Sequence, residues 1–348
     1  MKNATASLIA KKKVDGVQAE TMKCKGKHTS DRSEWSREVS SYYAELYKDP
    51  SARKGTLDVE MRRGLIVKQR ERLALIRSDR QWKREPDLDI PLWMMLQTRA
   101  THSNSLGGGP GADGITWRCL ASFPVRLVDT FGKAFNDRIN AKVSHRGPVK
   151  QWAEVIVRLI PKVHRPEEVK DCRPISLSSC LQKWFGGILA CFLEDLADPL
   201  GPEATGFRPG RQVGEITECM RLGLEKASLW GENLVILQAD VRKAFDSMDH
   251  EILIRCLESY RTPTRLIHAI VQELSETEMC LHLGQILGLI SVLLVSAGKQ
   301  GSSETPSLWN RMLDTALGRA RTICLSAGLG ALFRETGRDD CAISPFWG

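Results

Sequence analysis

The chain has 348 residues, 42% of them hydrophobic, enough to bury a sizeable core, and a formal net charge of +8. That charge is confined to the front: residues 1–85 hold 21 Lys/Arg against 12 Asp/Glu, a net of +9, and the remainder sums to −1. A basic arm of this kind suits a polyanionic partner, while ten cysteines without a single C-x-x-C pair exclude a zinc knuckle and a disulfide framework. Residues 1 to about 30 are Lys-rich, weakly apolar and lack a secretory signal, and the spacing predicts disorder there. From Ser33 to Arg84, apolar residues at helical spacing predict two charged amphipathic helices split by Asp49-Pro50. Trp93 to Ala100 predicts a short helix, Leu106 to Gly114 a turn-rich connection, and Trp117 to Asn140 a longer helix.

Val155 to Ile160 predicts a strand, and Asp171 to Ser179 a turn with a short extended segment. An apolar helix follows over Leu181 to Leu196, then a basic loop over Gly206 to Arg211 and a helix over Val213 to Trp230. Leu234 to Ala239 predicts a buried strand ended by Asp240, with Asp249 capping a helix over Glu251 to Tyr260. Met279 to Val295 predicts a hairpin and Pro306 to Ser326 a helix. The longest nearly uncharged apolar run, Ile286 to Ala297, is too short to span a bilayer, so the expectation is a soluble intracellular protein, in cytoplasm or nucleus, without a membrane partner. The class is α+β, without internal repeats.

The segment Leu234-Val-Ile-Leu-Gln-Ala-Asp240-Val-Arg-Lys-Ala-Phe245-Asp246 carries the strongest chemical pattern. A strand end presents a rigid, exposed carboxylate, which suits a hard cation. Phosphoryl transfer from a nucleoside triphosphate by two Mg²⁺ ions about 3.5–4 Å apart needs such oxygen ligands. Cations stand at turns and strand ends nearby in sequence: Lys162 in Leu159-Ile-Pro-Lys162, Arg173 in Asp171-Cys-Arg173-Pro-Ile-Ser-Leu177, and Arg208 and Arg211 in Gly206-Phe-Arg-Pro-Gly-Arg211. Such groups can reach phosphate oxygens. The small, polar stretch Gly298-Lys-Gln300-Gly301 would let a base pair or a backbone approach closely.

Taken in order with Pro110-Gly-Ala-Asp-Gly-Ile115, these segments resemble the reverse transcriptase family, in particular enzymes of non-long-terminal-repeat retrotransposons and group II introns. The resemblance covers about residues 108–315. It implies a right-hand polymerase fold, here the fingers with part of the palm and no thumb. It implies that Asp240 is a catalytic metal ligand beside the carbonyl of Val241, and that the intact site holds two Mg²⁺ ions. Lys162 and Arg173 would lie on the triphosphate, Phe245 against the sugar, and Gln300 with Gly301 at the nascent pair or template. Arg208 and Arg211 would contact nucleic acid, and Asp246 would hold its turn. An aromatic Phe245 has no acceptor for a ribose 2′-hydroxyl and would crowd it, so the expected substrates are deoxynucleoside triphosphates, on an RNA template and RNA–DNA duplex.

The family's following segment, an aromatic-x-Asp-Asp hairpin between apolar runs, has no counterpart here. Asp339-Asp340 stands among polar residues and reads as a surface turn, so the chain is expected to stop short of the full metal site. Ser303-Glu-Thr-Pro306 also departs from the family's Ser-Pro. The expected organisation is a basic arm (1–85), a fingers-like part (86–232), a partial palm (233–326) and a tail (327–348). It leaves open both an incomplete RNA-directed DNA polymerase and a non-catalytic nucleic-acid-binding remnant.

Overall fold

The computed structural model describes residues 22–24, 26–52, 57–103, 110–142, 150–163, 166–202, 204–231, 233–236, 238–282 and 290–327. Strand β1 (Met22–Cys24) pairs antiparallel with β2 (Lys27–Thr29), which corrects the expected disorder over residues 22–24 and 27–29. Tertiary contacts hold this short hairpin: Lys23 N–H donates to the Glu167 carbonyl at 2.8 Å, and Cys24 is buried. Helix α1 (Arg32–Leu46) starts where Asp31 accepts from Ser33 N–H at 2.8 Å, and α2 (Val59–Ser78) where Asp58 accepts from Met61 N–H at 3.0 Å. The two helices expected before residue 85 are thus present. Asp79 caps a further short one, α3 (Arg80–Arg84).

Helix α4 (Leu92–Ser103) matches its expectation, but the long helix predicted after Ile115 is two: α5 (Trp117–Ala121) and α6 (Val125–Ile139). Pro124 sits between them as the N-cap of α6, where its missing N–H costs nothing. A single turn, α7 (Lys150–Ala153), runs directly into β3 (Glu154–Pro161), and β4 (Cys172–Leu177) leads into α8 (Cys180–Leu196). Then come α9 (Val213–Trp230), α10 (His250–Ser259), α11 (Thr264–Leu274), β5 (Glu278–His282), β6 (Ile290–Leu293) and α12 (Thr305–Ser326). Helix α11 was not anticipated, although Leu266, Ile267, Ile270, Val271 and Leu274 follow Pro263 at helical spacing and are all buried.

The larger sheet has the order β4-β3-β5-β6, with β3 parallel to β5 and the other pairs antiparallel. Alternation decides its two faces. Val155, Val157 and Leu159 of β3 join Met279, Leu281 and Val292 in a core under Trp35, Val39, Tyr43 and Tyr47. A second, helical core gathers Phe135, Trp184, Phe185, Ile188, Leu253, Leu257, Ile270 and Leu308. Within it the buried Arg138 donates to Glu273 at 2.7 Å and stacks over Trp152 at 4.9 Å. The α+β class holds, and no helix among the described residues is long and apolar enough to cross a membrane.

Among the described residues of Leu234–Ala239, the expected strand does not form. Residues 233–236 and 238–241 have no regular structure, and Leu234, Val235 and Ile236 are 43%, 88% and 44% exposed. A strand exists only through its ladder. The outer edge of β4 is met instead by the Gln300 carbonyl, which accepts from Ser176 N–H at 2.9 Å. Strand-forming composition alone therefore does not place Asp240 at a strand end.

Candidate functional site

The Pro110–Ile115 motif is pinned to the end of β4. Ser179 Oγ donates to Asp113 at 2.5 Å, and Asp113 accepts from Ile115 N–H at 3.1 Å. A Cβ at position 111 would lie 2.4 Å from the Ser179 backbone nitrogen, so only glycine fits this approach.

The β3–β4 pair supplies a cationic face. Its register sets Ile160 opposite Arg173 and Arg158 opposite Ile175, so both arginines project from the face turned away from the buried α1 side. Both are exposed, and among the described residues neither has a hydrogen-bond or ion-pair partner. Lys162 follows at the end of β3, its N–H donating to the Asp171 carbonyl at 2.7 Å and its ammonium to the Lys170 carbonyl at 3.0 Å. Arg158 was not singled out from the sequence. Its signal was the alternation, two residues before Ile160 on the same face.

Ser176, which alternates to the other, α1-facing side opposite Val157, joins the edge of β4 to the loop before α12 through its backbone N–H. In that loop, Gly298 N–H donates to the Phe245 carbonyl at 2.8 Å and Ala297 N–H to the Met248 carbonyl at 2.7 Å. Burial lowers His250 to about 4, so the ring is neutral, and Nε2–H donates to the Ala297 carbonyl at 2.9 Å. Next in the loop, Lys299 is fully buried and donates to the Glu273 carbonyl at 2.8 Å. Its other neighbour is the buried Glu304, 4.0 Å away, whose carboxyl is pushed up by burial against the pull of Lys299. Gly301 has φ +103°, and a Cβ there would sit 3.0 Å from the Ser176 carbonyl, so the turn requires glycine.

Gln300 Nε2 donates to both carboxylate oxygens of Asp246, at 2.9 Å each. Asp246 is 7% exposed. Burial raises its pKa, opposed by the Gln300 hydrogen bond and by the positive fields of Lys243 and Lys162. Lys243, with φ +55°, lies over the Tyr42 ring at 4.6 Å. Next to Asp246, Phe245 is half-buried between Phe207 at 6.0 Å and Trp309 at 6.3 Å. The Gly206–Arg211 loop is thereby drawn to α12, and Arg208 donates to the Gly201 and Ala204 carbonyls at 3.0 and 3.1 Å. Arg211 pairs with Glu215 at 2.7 Å.

The structure therefore brings Lys162, Asp246, Phe245, Gln300 and Gly301 into one neighbourhood at the edge of β4, with Lys243 and Asp246 toward Tyr42 and Tyr43 of α1, whereas Arg158 and Arg173 project from the opposite sheet face. It does not tie Asp240 or Val241 to that neighbourhood. Both are exposed, and the Asp240 carboxylate has no protein partner among the described residues. No group of three or more His, Cys, Asp or Glu among the described residues could hold a metal ion, and Asp339-Asp340 lies outside them.

Residues 160–334, half of the chain, match the family model described as reverse transcriptase (RNA-dependent DNA polymerase). The chain is 28% identical over 180 residues to the transposon TX1 uncharacterized 149 kDa protein of Xenopus laevis, covering 51% of this chain and 13% of that protein. It is 26% identical over 210 residues to the retrovirus-related Pol polyprotein from type-1 retrotransposable element R2 of Popillia japonica, covering 60% of this chain and 28% of that protein. It is 25% identical over 214 residues to the corresponding polyprotein from type-2 retrotransposable element R2DM of Drosophila melanogaster, covering 61% of this chain and 19% of that protein. The chain thus corresponds to less than a third of each of these relatives. With the motifs in family order and half its length matched by the family model, this chain belongs to the reverse transcriptase family.

Proposed function

We propose that this chain is the nucleotide-approach section of a retrotransposon RNA-directed DNA polymerase, acting inside the cell on an RNA template, an RNA–DNA duplex and deoxynucleoside triphosphates. Residues 86–232 would be its fingers-like part, 233–326 part of the palm, 1–85 a basic arm along the nucleic acid, and 327–348 a tail. The observation that carries this reading is the junction at Ser176, where the edge of β4, a strand that bears Arg173 on its other face, meets the Gln300–Gly301 loop beside Phe245. The cations suit a triphosphate, a flat aromatic suits a deoxyribose, and a glycine turn suits a close base pair.

In this reading Asp240 and the Val241 carbonyl are the metal ligands. Their donor set is short. Asp246, the acid six residues on, is buried and engaged by Gln300, which leaves one exposed carboxylate. One carboxylate does not strip two Mg²⁺ ions of their hydration, so the described residues do not fit the pair of ions by themselves. That observation favours a second reading, a non-catalytic nucleic-acid-binding remnant.

Primer extension separates the two. The chain alone should bind RNA–DNA duplex and deoxynucleotides and give no extension with Mg²⁺. Supplied with the palm hairpin and thumb of a related element, it should extend a primer, and Asp240→Asn should abolish that extension. Extension that survives Asp240→Asn would overturn the metal assignment, and a chimera that binds but never extends would favour the remnant.

A further inference from the structure

Gln300 is held twice: its backbone carbonyl accepts from Ser176 N–H at 2.9 Å, and its side-chain nitrogen donates to both oxygens of Asp246 at 2.9 Å. An ionised carboxylate can only accept, so Asp246 dictates which way the amide faces. The amide nitrogen turns toward Asp246 and the amide oxygen turns away from it. That oxygen, Gln300 Oε1, has no protein partner among the described residues and is not among the enclosed, unpaired polar atoms. Gln300 therefore presents an accessible acceptor. Asp246 itself is buried at the turn that carries Phe245, and that turn is bound to the same loop by the Gly298–Phe245 hydrogen bond of 2.8 Å. The amide and the carboxylate are thus fixed to one rigid junction. A side chain free to flip would instead offer a donor or an acceptor as the ligand required.

We propose that Asp246 is a positioning residue that locks the Gln300 amide with its oxygen toward the ligand, so that the site selects nucleotides offering a hydrogen-bond donor there. This rests on the nucleotide-site reading above. The donor could be a sugar hydroxyl or a base-edge amino group, and both share the chemistry of an O–H or N–H meeting a carbonyl oxygen.

The test is competitive binding to the full chain of dGTP, 2′,3′-dideoxy-GTP, which lacks the sugar hydroxyl, and dITP, which lacks the exocyclic amino group. dGTP should bind about three- to tenfold more tightly than whichever analogue lacks the relevant donor, the factor set by one neutral hydrogen bond. Gln300→Met should erase that ratio. Asp246→Asn, whose own amide can either donate or accept, should shrink it toward one while affinity for the donor-less analogue stays unchanged, and should have no further effect on the ratio in the Gln300→Met background. A purely structural Asp246 would lower all affinities together and leave the ratio intact, which would overturn the proposal. So would equal binding of all three nucleotides by the unaltered chain.

A ligand-free readout separates this from the parent reading. In the chain labelled with ¹⁵N-glutamine, the Gln300 side-chain NH₂ pair should be shifted and slow to exchange, and Asp246→Asn should collapse it to free-amide values. If no nucleotide binds but the amide is locked, the nucleotide-site reading fails and the orienting role of Asp246 stands. A free amide in the unaltered chain overturns the positioning role itself.

Discussion

Replacing Arg138 by methionine should destabilise the protein by about 3–5 kcal/mol, the cost of leaving a buried carboxylate without its partner. Arg138 and Glu273 are almost wholly enclosed, with a closest nitrogen–oxygen distance of 2.6 Å. The pair joins α6 to α11, Gln182 of α8 reaches the other Glu273 oxygen at 3.4 Å, and Lys299 donates to the Glu273 carbonyl at 2.8 Å. The loss should therefore spread beyond the helical core into the loop that carries Gln300. Urea denaturation of the single variants and of Arg138→Met/Glu273→Leu checks this. The double variant should recover most of the stability, because replacing both charges by packed apolar groups removes the desolvation penalty along with the attraction. A single variant with unchanged stability would mean that Glu273 finds compensation elsewhere.

The second large effect concerns binding. Changing Arg158, Lys162 and Arg173 together to glutamine should lower affinity for a deoxynucleoside triphosphate on the order of 100-fold, if each exposed cation contributes about 1 kcal/mol. All three are exposed, so the fold should survive, and circular dichroism should confirm it. Arg158→Gln alone should account for a share comparable to Arg173→Gln, since both project from the same face of the β3–β4 pair. Isothermal titration with dGTP at two salt concentrations measures the loss. A triple variant with unaltered affinity would remove this face from the site.

Elements with a strong local signal were legible in the sequence. Helix α9 runs over Val213–Trp230 as its spacing predicted, and the alternation of Val155, Val157 and Leu159 placed β3 correctly. Asp49-Pro50 and Gly114, with φ +69°, marked turns because their backbone demands are local. What the sequence did not disclose depends on distant partners. The Leu234–Ile236 run has strand-forming residues, but no ladder receives it. The residues 22–29 hairpin forms because Glu167 meets Lys23, a contact far outside any sequence window. Likewise, Asp246 was assigned to its own turn, whereas its carboxylate meets Gln300, 54 residues away. Local spacing encodes periodicity and caps, and it carries no information about which buried acid meets which amide.

In the proposed polymerase, the β3–β4 pair, the Phe245 turn and the Gln300–Gly301 loop form one nucleotide surface. Photo-crosslinking the full chain with 8-azido-dATP, followed by mapping of the labelled peptides by mass spectrometry, tests it most directly. Adducts are expected within residues 156–177, 243–248 or 298–309, suppressed by excess dGTP and lost with the triple glutamine variant. Saturable labelling confined to the basic arm or to the outer face of α9, and indifferent to those three substitutions, would contradict it.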